Sequence, residues 1–269
     1  SNLVSSSGVV ASDVTGVGTA RRIAAAAGYG GDKAIFGYGY SSAESSISNL
    51  VSNAGVVATD TTGVGTTRYG LGAAGYGIDK AIFAYGTSAS GYVSMSNLVS
   101  NSGVVASDVT GVGTGRGGIA ATGYGTDKAI FGYGTTGSVV SMSNLVSNSG
   151  VVSSDVTGVG TARRYVAAAG YGVGLAIFAY GIVSSAVSMS NLVSSSGVVA
   201  ADVTGVGTAR EGSAAASYGG DKAIFGFGYT SSVVSMSNLV NSSGVVGSDV
   251  TGVGTARFYL AAAGYSTSA

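Results

Sequence analysis

The sequence predicts an all-β repeat protein, and three observations predict it: a fixed internal period, short apolar segments punctuated by glycine and serine, and no capped run long enough for a helix. The period comes first. The arginine of a recurring Gly-Thr-x-Arg motif falls at Arg21, Arg68, Arg116, Arg163, Arg210 and Arg257, in steps of 47 or 48 residues. An aspartate eight residues earlier keeps the same step, at Asp13, Asp60, Asp108, Asp155, Asp202 and Asp249. A unit this short cannot bury an apolar face alone, so its neighbours must cover it. Residues 1–269 therefore read as one domain of six copies.

Each unit divides into four candidate strands. In the third, segment A is Gly118 to Tyr124, B is Lys128 to Tyr133, C is Val139 to Val146 and D is Gly150 to Ser154. All four have ordinary strand lengths. Segment B, for example Lys33-Ala34-Ile35-Phe36-Gly37-Tyr38, is almost continuously apolar where a half-exposed strand would alternate, which suits a sheet covered on both faces. Sheets stacked around an axis meet that requirement, and closure into a β-propeller also removes exposed edges. A linear solenoid is the alternative arrangement of the same units.

The composition narrows what such a scaffold does. There are 48 glycines and 16 tyrosines, 45% of residues are hydrophobic, only 9% are charged, and proline, cysteine, tryptophan and histidine are absent. Twelve basic residues balance twelve acidic ones, so no field draws the chain to nucleic acid. Without histidine or cysteine, a Ser-His-Asp triad and the usual zinc ligand sets are excluded. The stretch from Tyr165 to Val183 is uncharged and long enough for a membrane span. Its sister segments carry Asp32-Lys33 and Asp127-Lys128, so it reads as two strands, and no membrane insertion is expected. The chain begins within a repeat, at Ser1-Asn2-Leu3-Val4, as a processed chain or a piece of a longer one would.

The motifs have structural readings. Gly16-Val17-Gly18-Thr19-Ala20-Arg21 opens like a dinucleotide fingerprint, but Arg21 stands where the third glycine belongs and no helix follows, so it reads as a turn between D and the next A. One Asp and one Arg per unit, such as Asp13 with Arg21 or Asp108 with Arg116, suggest a repeated, partly buried ion pair. The pairs Asp32-Lys33, Asp79-Lys80, Asp127-Lys128 and Asp221-Lys222 read as A-to-B turn residues. Tyr29, Tyr76, Tyr124, Tyr171, Tyr218 and Tyr265 keep one register and read as packing between sheets. Asn241-Ser242-Ser243 is a lone glycosylation sequon. No cofactor or metal is expected, and no catalytic residue.

The order Thr19-Ala20-Arg21, a small-residue strand Ala24 to Tyr29, the hydrophobic strand Lys33-Ala34-Ile35-Phe36-Gly37-Tyr38-Gly39, a loop, and the outer strand Ile47 to Ser52 resembles the kelch repeat of β-propellers. The kelch glycine doublet is here Gly37-Tyr38-Gly39 or Ala84-Tyr85-Gly86, and Val9-Val10 or Val56-Val57 stand near the place of the outer tryptophan. The resemblance implies a six-bladed propeller. Its closing blade is incomplete in this sequence: the N-terminus supplies segments C and D (Asn2 to Ser12), the C-terminus supplies only A (Arg257 to Tyr265) before Ser266-Thr267-Ser268-Ala269, and B is either absent, supplied by a partner chain or removed with a truncated end. The near-identity of the copies is also similar to recently amplified repeat proteins encoded by bacteriophages and environmental bacteria, which implies an extracellular or virion-surface location.

Functional candidates are the positions where the copies disagree. Directly after the repeat arginine come Arg22-Ile23, Tyr69-Gly70, Gly117-Gly118, Arg164-Tyr165, Glu211-Gly212 and Phe258-Tyr259. In kelch-like propellers the residues after this arginine lie at the channel mouth, which implies that Arg22, Tyr69, Arg164, Tyr165, Glu211, Phe258 and Tyr259 share one face. Tyrosine and arginine are frequent at binding hot spots; neutral drift at exposed sites is the alternative reading of the same variation. The loops after B vary too (Tyr40 to Ser46, Thr87 to Tyr92, Thr135 to Ser138, Ile182 to Ala186), as a second contact surface. The expected function is non-enzymatic binding or adhesion to a protein or glycan surface. The alternative is a self-assembling fibre or shell of identical copies or other virion proteins.

Overall fold

The computed structural model describes residues 1–265; Ser266 to Ala269, the stretch with which the sixth repeat ends in the sequence, lie outside the described residues. The described chain is all-β. The first repeat holds β1 (Ala25–Tyr29), β2 (Lys33–Tyr40) and β3 (Glu44–Val51). The second holds β4 (Gly72–Tyr76), β5 (Lys80–Ala84), the small ribbon β6 (Thr87–Ser88) and β7 (Gly91–Tyr92), and β8 (Ser96–Val99). The third holds β9 (Ala120–Tyr124), β10 (Lys128–Gly132) and β11 (Ser143–Val146), and the fourth β12 (Ala167–Tyr171), β13 (Leu175–Ala179) and β14 (Ser190–Val193). The fifth holds β15 (Ala214–Tyr218), β16 (Lys222–Tyr229) and β17 (Val233–Val240). Each of these repeats forms one antiparallel three-stranded sheet with the B-segment strand in the centre. Among the described residues no helix is long and apolar enough to cross a membrane, and Tyr165 to Val183 contains β12 and β13.

The turn joining A to B needs left-handed backbone at two successive positions, as a right-twisted hairpin does. Gly30 and Gly31 supply it in the first repeat, while Gly77-Ile78 and Gly125-Thr126 put a β-branched residue at the second position, with φ of 77° at Ile78 and 73° at Thr126. The central strand is buried because sheets cover both of its faces: Ile35, Ile82, Phe83, Ile130, Phe131, Ile177 and Phe178 have no exposed surface. Segment D differs from the expectation of a fourth regular strand. Two isolated bridges hold it, as in Val146 with Val152 and Ser143 with Val156, because side-chain bonds take over where the ladder stops.

The sheets stand in a propeller-like arrangement. At one end of the inner strands a circuit of peptide hydrogen bonds runs from Ile23 N–H to Tyr259 O (2.8 Å), Tyr259 N–H to Gly212 O (2.8 Å), Gly212 N–H to Tyr165 O (3.4 Å) and Tyr165 N–H to Gly118 O (2.8 Å). It continues from Ile119 N–H to Gly70 O (3.4 Å) and returns from Gly70 N–H to Ile23 O (3.1 Å). The first and last repeats are thus direct neighbours, which a linear stack forbids. At the other end the inner strands crowd so closely that a Cβ on Gly75 would lie 3.3 Å from the carbonyl oxygen of Gly28.

The repeat arginine organises each sheet. Arg116 is fully buried and donates through Nε to Tyr133 O (3.0 Å), through Nη1 to Thr114 O (3.1 Å) and through Nη2 to Asn144 Oδ1 (2.5 Å). Asn144 and Thr114 in turn donate to Asp155, which lies 3.7 Å from Arg116. One cluster therefore ties the start of A to B, C and D. The ion pair exists, but the pairing read from the sequence is corrected: Asp108 pairs with Arg68 and not Arg116, and Asp13 with Arg257 and not Arg21. Eight residues along the chain carry the arginine on into the next sheet, whereas the return of segment D brings the aspartate back to the arginine that opened its own. The Asp-Lys pairs do lie at the A-to-B turns, at 2.7 Å for Asp32 and Lys33. Tyr29, Tyr76, Tyr124 and Tyr171 are buried between sheets. Asn241 serves its turn by accepting from the amides of Ser243 and Val245.

Candidate functional site

In five of the six repeats the position following the repeat arginine forms an isolated bridge with the residue that heads the loop after segment B: Arg22 with Tyr40, Tyr69 with Thr87, Gly117 with Thr135, Arg164 with Ile182 and Glu211 with Tyr229. Both partners of each bridge are positions where the copies differ. The two surfaces separated in the sequence reading are therefore one surface, laid over a frame that hardly varies.

Its backbone is fixed by the hydrogen-bond circuit. Six of the seven residues that form it, Ile23, Gly70, Gly118, Tyr165, Gly212 and Tyr259, have left-handed backbone, with φ between 53° and 63°; the seventh is Ile119, whose amide bonds Gly70 O. Glycine adopts this freely; for Ile23, Tyr165 and Tyr259 it costs on the order of 1–3 kcal/mol each, a strain the surrounding circuit holds in place. At two of the three glycines of the circuit a neighbouring ring fills the space: Tyr165 lies over Gly118 and Tyr259 over Gly212, while Gly70 faces the Gly118 backbone and Ile23.

The side chains gather into an aromatic and charged patch. The rings of Tyr165 and Tyr259 are 4.7 Å apart, Phe258 lies 4.6 Å from Tyr259, and Tyr229 lies 5.4 Å from Phe258. The guanidinium of Arg164 stands 5.3 Å from the Tyr165 ring centre, and the Tyr259 hydroxyl donates to Glu211 at 3.4 Å. On the other side Tyr40 packs edge-on to Tyr69 at 5.4 Å, with Arg22 over Tyr40 at 5.7 Å. All seven residues singled out from the sequence lie on this surface; Arg22 is exposed and the other six are half-buried. Tyr40 and Tyr229 belong to it as well, and their variability marks them by the same signal.

Burial shapes the electrostatics. It raises the Glu211 carboxyl above its ordinary range, against the opposing pull of Arg164 and of the Tyr259 hydrogen bond. It raises the Tyr259 phenol too, helped by Tyr165 and Glu211. Arg164 Nε is buried and has no hydrogen-bond partner among the described residues, a donor left free within the patch.

At this end the residues of the circuit, Tyr165 and Tyr259 among them, line an open hollow of about 80 Å³, with room for only a few waters. A much larger cavity, about 1490 Å³, opens at the opposite end and runs outward between the sheets of the fifth and first repeats. Among the described residues no group of three or more acidic, histidine or cysteine side chains is placed to hold a metal ion. No protein-family model matches the chain, and no curated protein matches it.

Proposed function

We propose that the chain is a six-bladed, kelch-like β-propeller acting without catalysis, and that its aromatic face grips a protein or glycan on an extracellular or virion surface. The observation that carries this reading is the coincidence of variation with position. Five bridges pair variable residues with variable residues on one end, while the arginine, asparagine and aspartate clusters beneath them recur in each repeat. Drift at unconstrained surface sites would not concentrate tyrosine, phenylalanine and arginine at a single end. Aromatic rings stack on sugar and peptide faces, and the exposed guanidinium of Arg22 supplies hydrogen bonds to a hydroxyl, carboxylate or carbonyl oxygen.

The test is Tyr165→Ala and Phe258→Ala, assayed on glycan arrays and on intact cell or virion surfaces beside thermal unfolding. Wild type binds, and each variant loses tenfold or more of its affinity while still folding. Absence of binding by the wild-type protein, or equal binding by both variants, refutes the reading.

A second reading has its own observation. Val9, Val56, Val104, Val151, Val198 and Val245 occupy one position in the six repeats and are 60 to 66% exposed. A regular apolar rim suits lateral packing between copies in a fibre or shell. Sedimentation of a Val104→Lys, Val151→Lys variant separates the two, since only the assembly reading requires it to dissociate.

A further inference from the structure

Ten asparagines occur in the chain, and one of them is unlike the rest. Asn49, Asn97, Asn144, Asn191 and Asn238 engage their side-chain amides inside the arginine clusters, each donating to the cluster aspartate at 2.8 to 2.9 Å. Asn2 does the same with Asp13. Asn53, Asn101 and Asn148 stand in the C-to-D turns and donate to Asp32, Asp79 and Asp127 at 3.0 to 3.1 Å. Asn241 takes part in hydrogen bonds only as an acceptor, and its Nδ2 donates to nothing among the described residues.

The turn explains why. Ser5, Ser52, Ser100, Ser147 and Ser194 hold the corresponding turns by accepting, through the hydroxyl, from the amide four residues on. In the fifth repeat Asn241 takes that place, and its Oδ1 accepts from the amides of Ser243 at 2.9 Å and Val245 at 3.0 Å. Two backbone donors identify the atom as oxygen, so the NH2 is the end left free. Asn241, Ser242 and Ser243 are all exposed. Serine closes this turn in the other five copies, so the fold does not require asparagine here; the exchange keeps the acceptor and adds a free amide.

The same residue opens Asn241-Ser242-Ser243, and no other asparagine of the chain is followed two places on by serine or threonine. The one sequon and the one free amide thus fall on a single side chain. We propose that Asn241 is a modification site, the acceptor of one N-linked glycan from a lipid diphosphate-linked oligosaccharide. In the transfer Nδ2 forms a bond to the anomeric carbon of the first sugar. The bond from that carbon to the diphosphate oxygen breaks, its electron pair leaves with the diphosphate, and one Nδ2 proton passes to a base of the transferase. The Ser243 and Val245 amides polarise the carboxamide through Oδ1, which eases loss of that proton. The turn stands beside the A-to-B turn of the fourth repeat, where a Cβ on Gly172 would lie 3.1 Å from Ser242 O. This is the end opposite the hydrogen-bond circuit, so the glycan leaves the aromatic face open, and the inference is independent of what that face binds.

The test incubates the folded full-length protein with a purified eukaryotic oligosaccharyltransferase and its lipid-linked oligosaccharide. Intact mass and the tryptic fragment 223–257 are then read. One glycan per chain is expected, on that fragment, and its enzymatic release leaves aspartate at position 241. Asn241→Ser, which restores the residue of the other copies, loses the added mass completely with thermal unfolding unchanged. Ser243→Ala does the same, alanine being the residue of the first repeat at that place, Ala54. Absence of transfer to the folded wild type, transfer only after the protein is unfolded, or a glycan on any asparagine other than Asn241 overturns the proposal.

Discussion

The guanidinium of Arg116 lies 4.5 Å from the ring centre of Tyr85, a residue of the preceding sheet held with φ of 65°. The Tyr85 hydroxyl crosses the same boundary to donate to Val112 O at 3.2 Å. Burial pushes its phenol up to about 12, although Arg116 pulls the other way, so the ring stays neutral beneath the cation. This unit, repeated around the molecule, couples sheets through one buried cation.

Replacing that cation with lysine removes the fork while keeping the charge. A lysine in place of Arg116 reaches at most one of Tyr133 O, Thr114 O and Asn144 Oδ1, leaving two buried acceptors empty. Arg116→Lys is expected to cost about 3 kcal/mol in urea unfolding, while Lys128→Arg at an exposed turn stays within about 0.5 kcal/mol. Equal midpoints for wild type and Arg116→Lys would disprove the arginine's organising role.

Glycine is required where the Asp-Asn pair approaches the chain. Gly113 has φ of 72°, and a Cβ there would lie 2.4 Å from Asp155 Oδ1 and 2.7 Å from Asn144 Nδ2. Gly16 has neither constraint. Gly113→Ala is expected to destabilise by more than about 2 kcal/mol and Gly16→Ala by less than about 0.5 kcal/mol. Similar melting curves for the two variants would show that the close approach is relieved elsewhere.

Acid should loosen the molecule through the same clusters. Hydrogen bonds from Thr19 and Asn49 hold the Asp60 carboxyl below its ordinary 3.8. At Asp155 burial pushes upward, yet the bonds from Thr114 and Asn144 outweigh it and the net direction is again down. A carboxylate depressed in the folded state contributes stability that is complete above its unfolded value and lost as pH falls through its folded one. Stability is therefore expected to be level from neutral pH to about 5 and to fall below about 4. Asp155→Asn should be less stable at neutral pH and show a shallower decline, read from urea midpoints between pH 2 and 7. An unchanged slope would mean that Asp155 titrates alike in both states.

Much of this was legible in the sequence, and particular residues show where legibility ended. The spacing of Arg21, Arg68 and Arg116 gives the repeat, and Ala34-Ile35-Phe36 gives a strand covered on both faces. The partner of Arg116 was not legible, because Asp108 is near in sequence while Asp155 is near in space only after segments B, C and D have folded back. The left-handed tyrosines Tyr38, Tyr85, Tyr133 and Tyr180 were invisible for a similar reason: tyrosine carries no local preference for that conformation, and the adjoining sheet imposes it. The aromatic face was legible only as disagreement between copies, which marks positions and does not show that those positions meet.

The junction of the termini should open first. Thr255 holds Asp13 through its amide at 2.9 Å and its hydroxyl at 2.6 Å, and Arg257 binds both Asn2 and Asp13, so the same cluster is built here from the two ends of the chain. Among the described residues no central-strand carbonyl accepts from Arg257, and its side chain is 32% exposed where that of Arg116 is fully buried. In repeat proteins local opening follows the weakest interface. Amide exchange is expected to be at least tenfold faster in residues 1–14 and 255–265 than in residues 120–146. Asp13→Ala should accelerate the terminal segments further and leave the central ones unchanged, because the five remaining clusters do not share its bonds. Exchange that is uniform around the molecule, or an Asp13→Ala variant that loosens β9 to β11 as much as the termini, would instead make the circuit a single cooperative unit with no weakest joint.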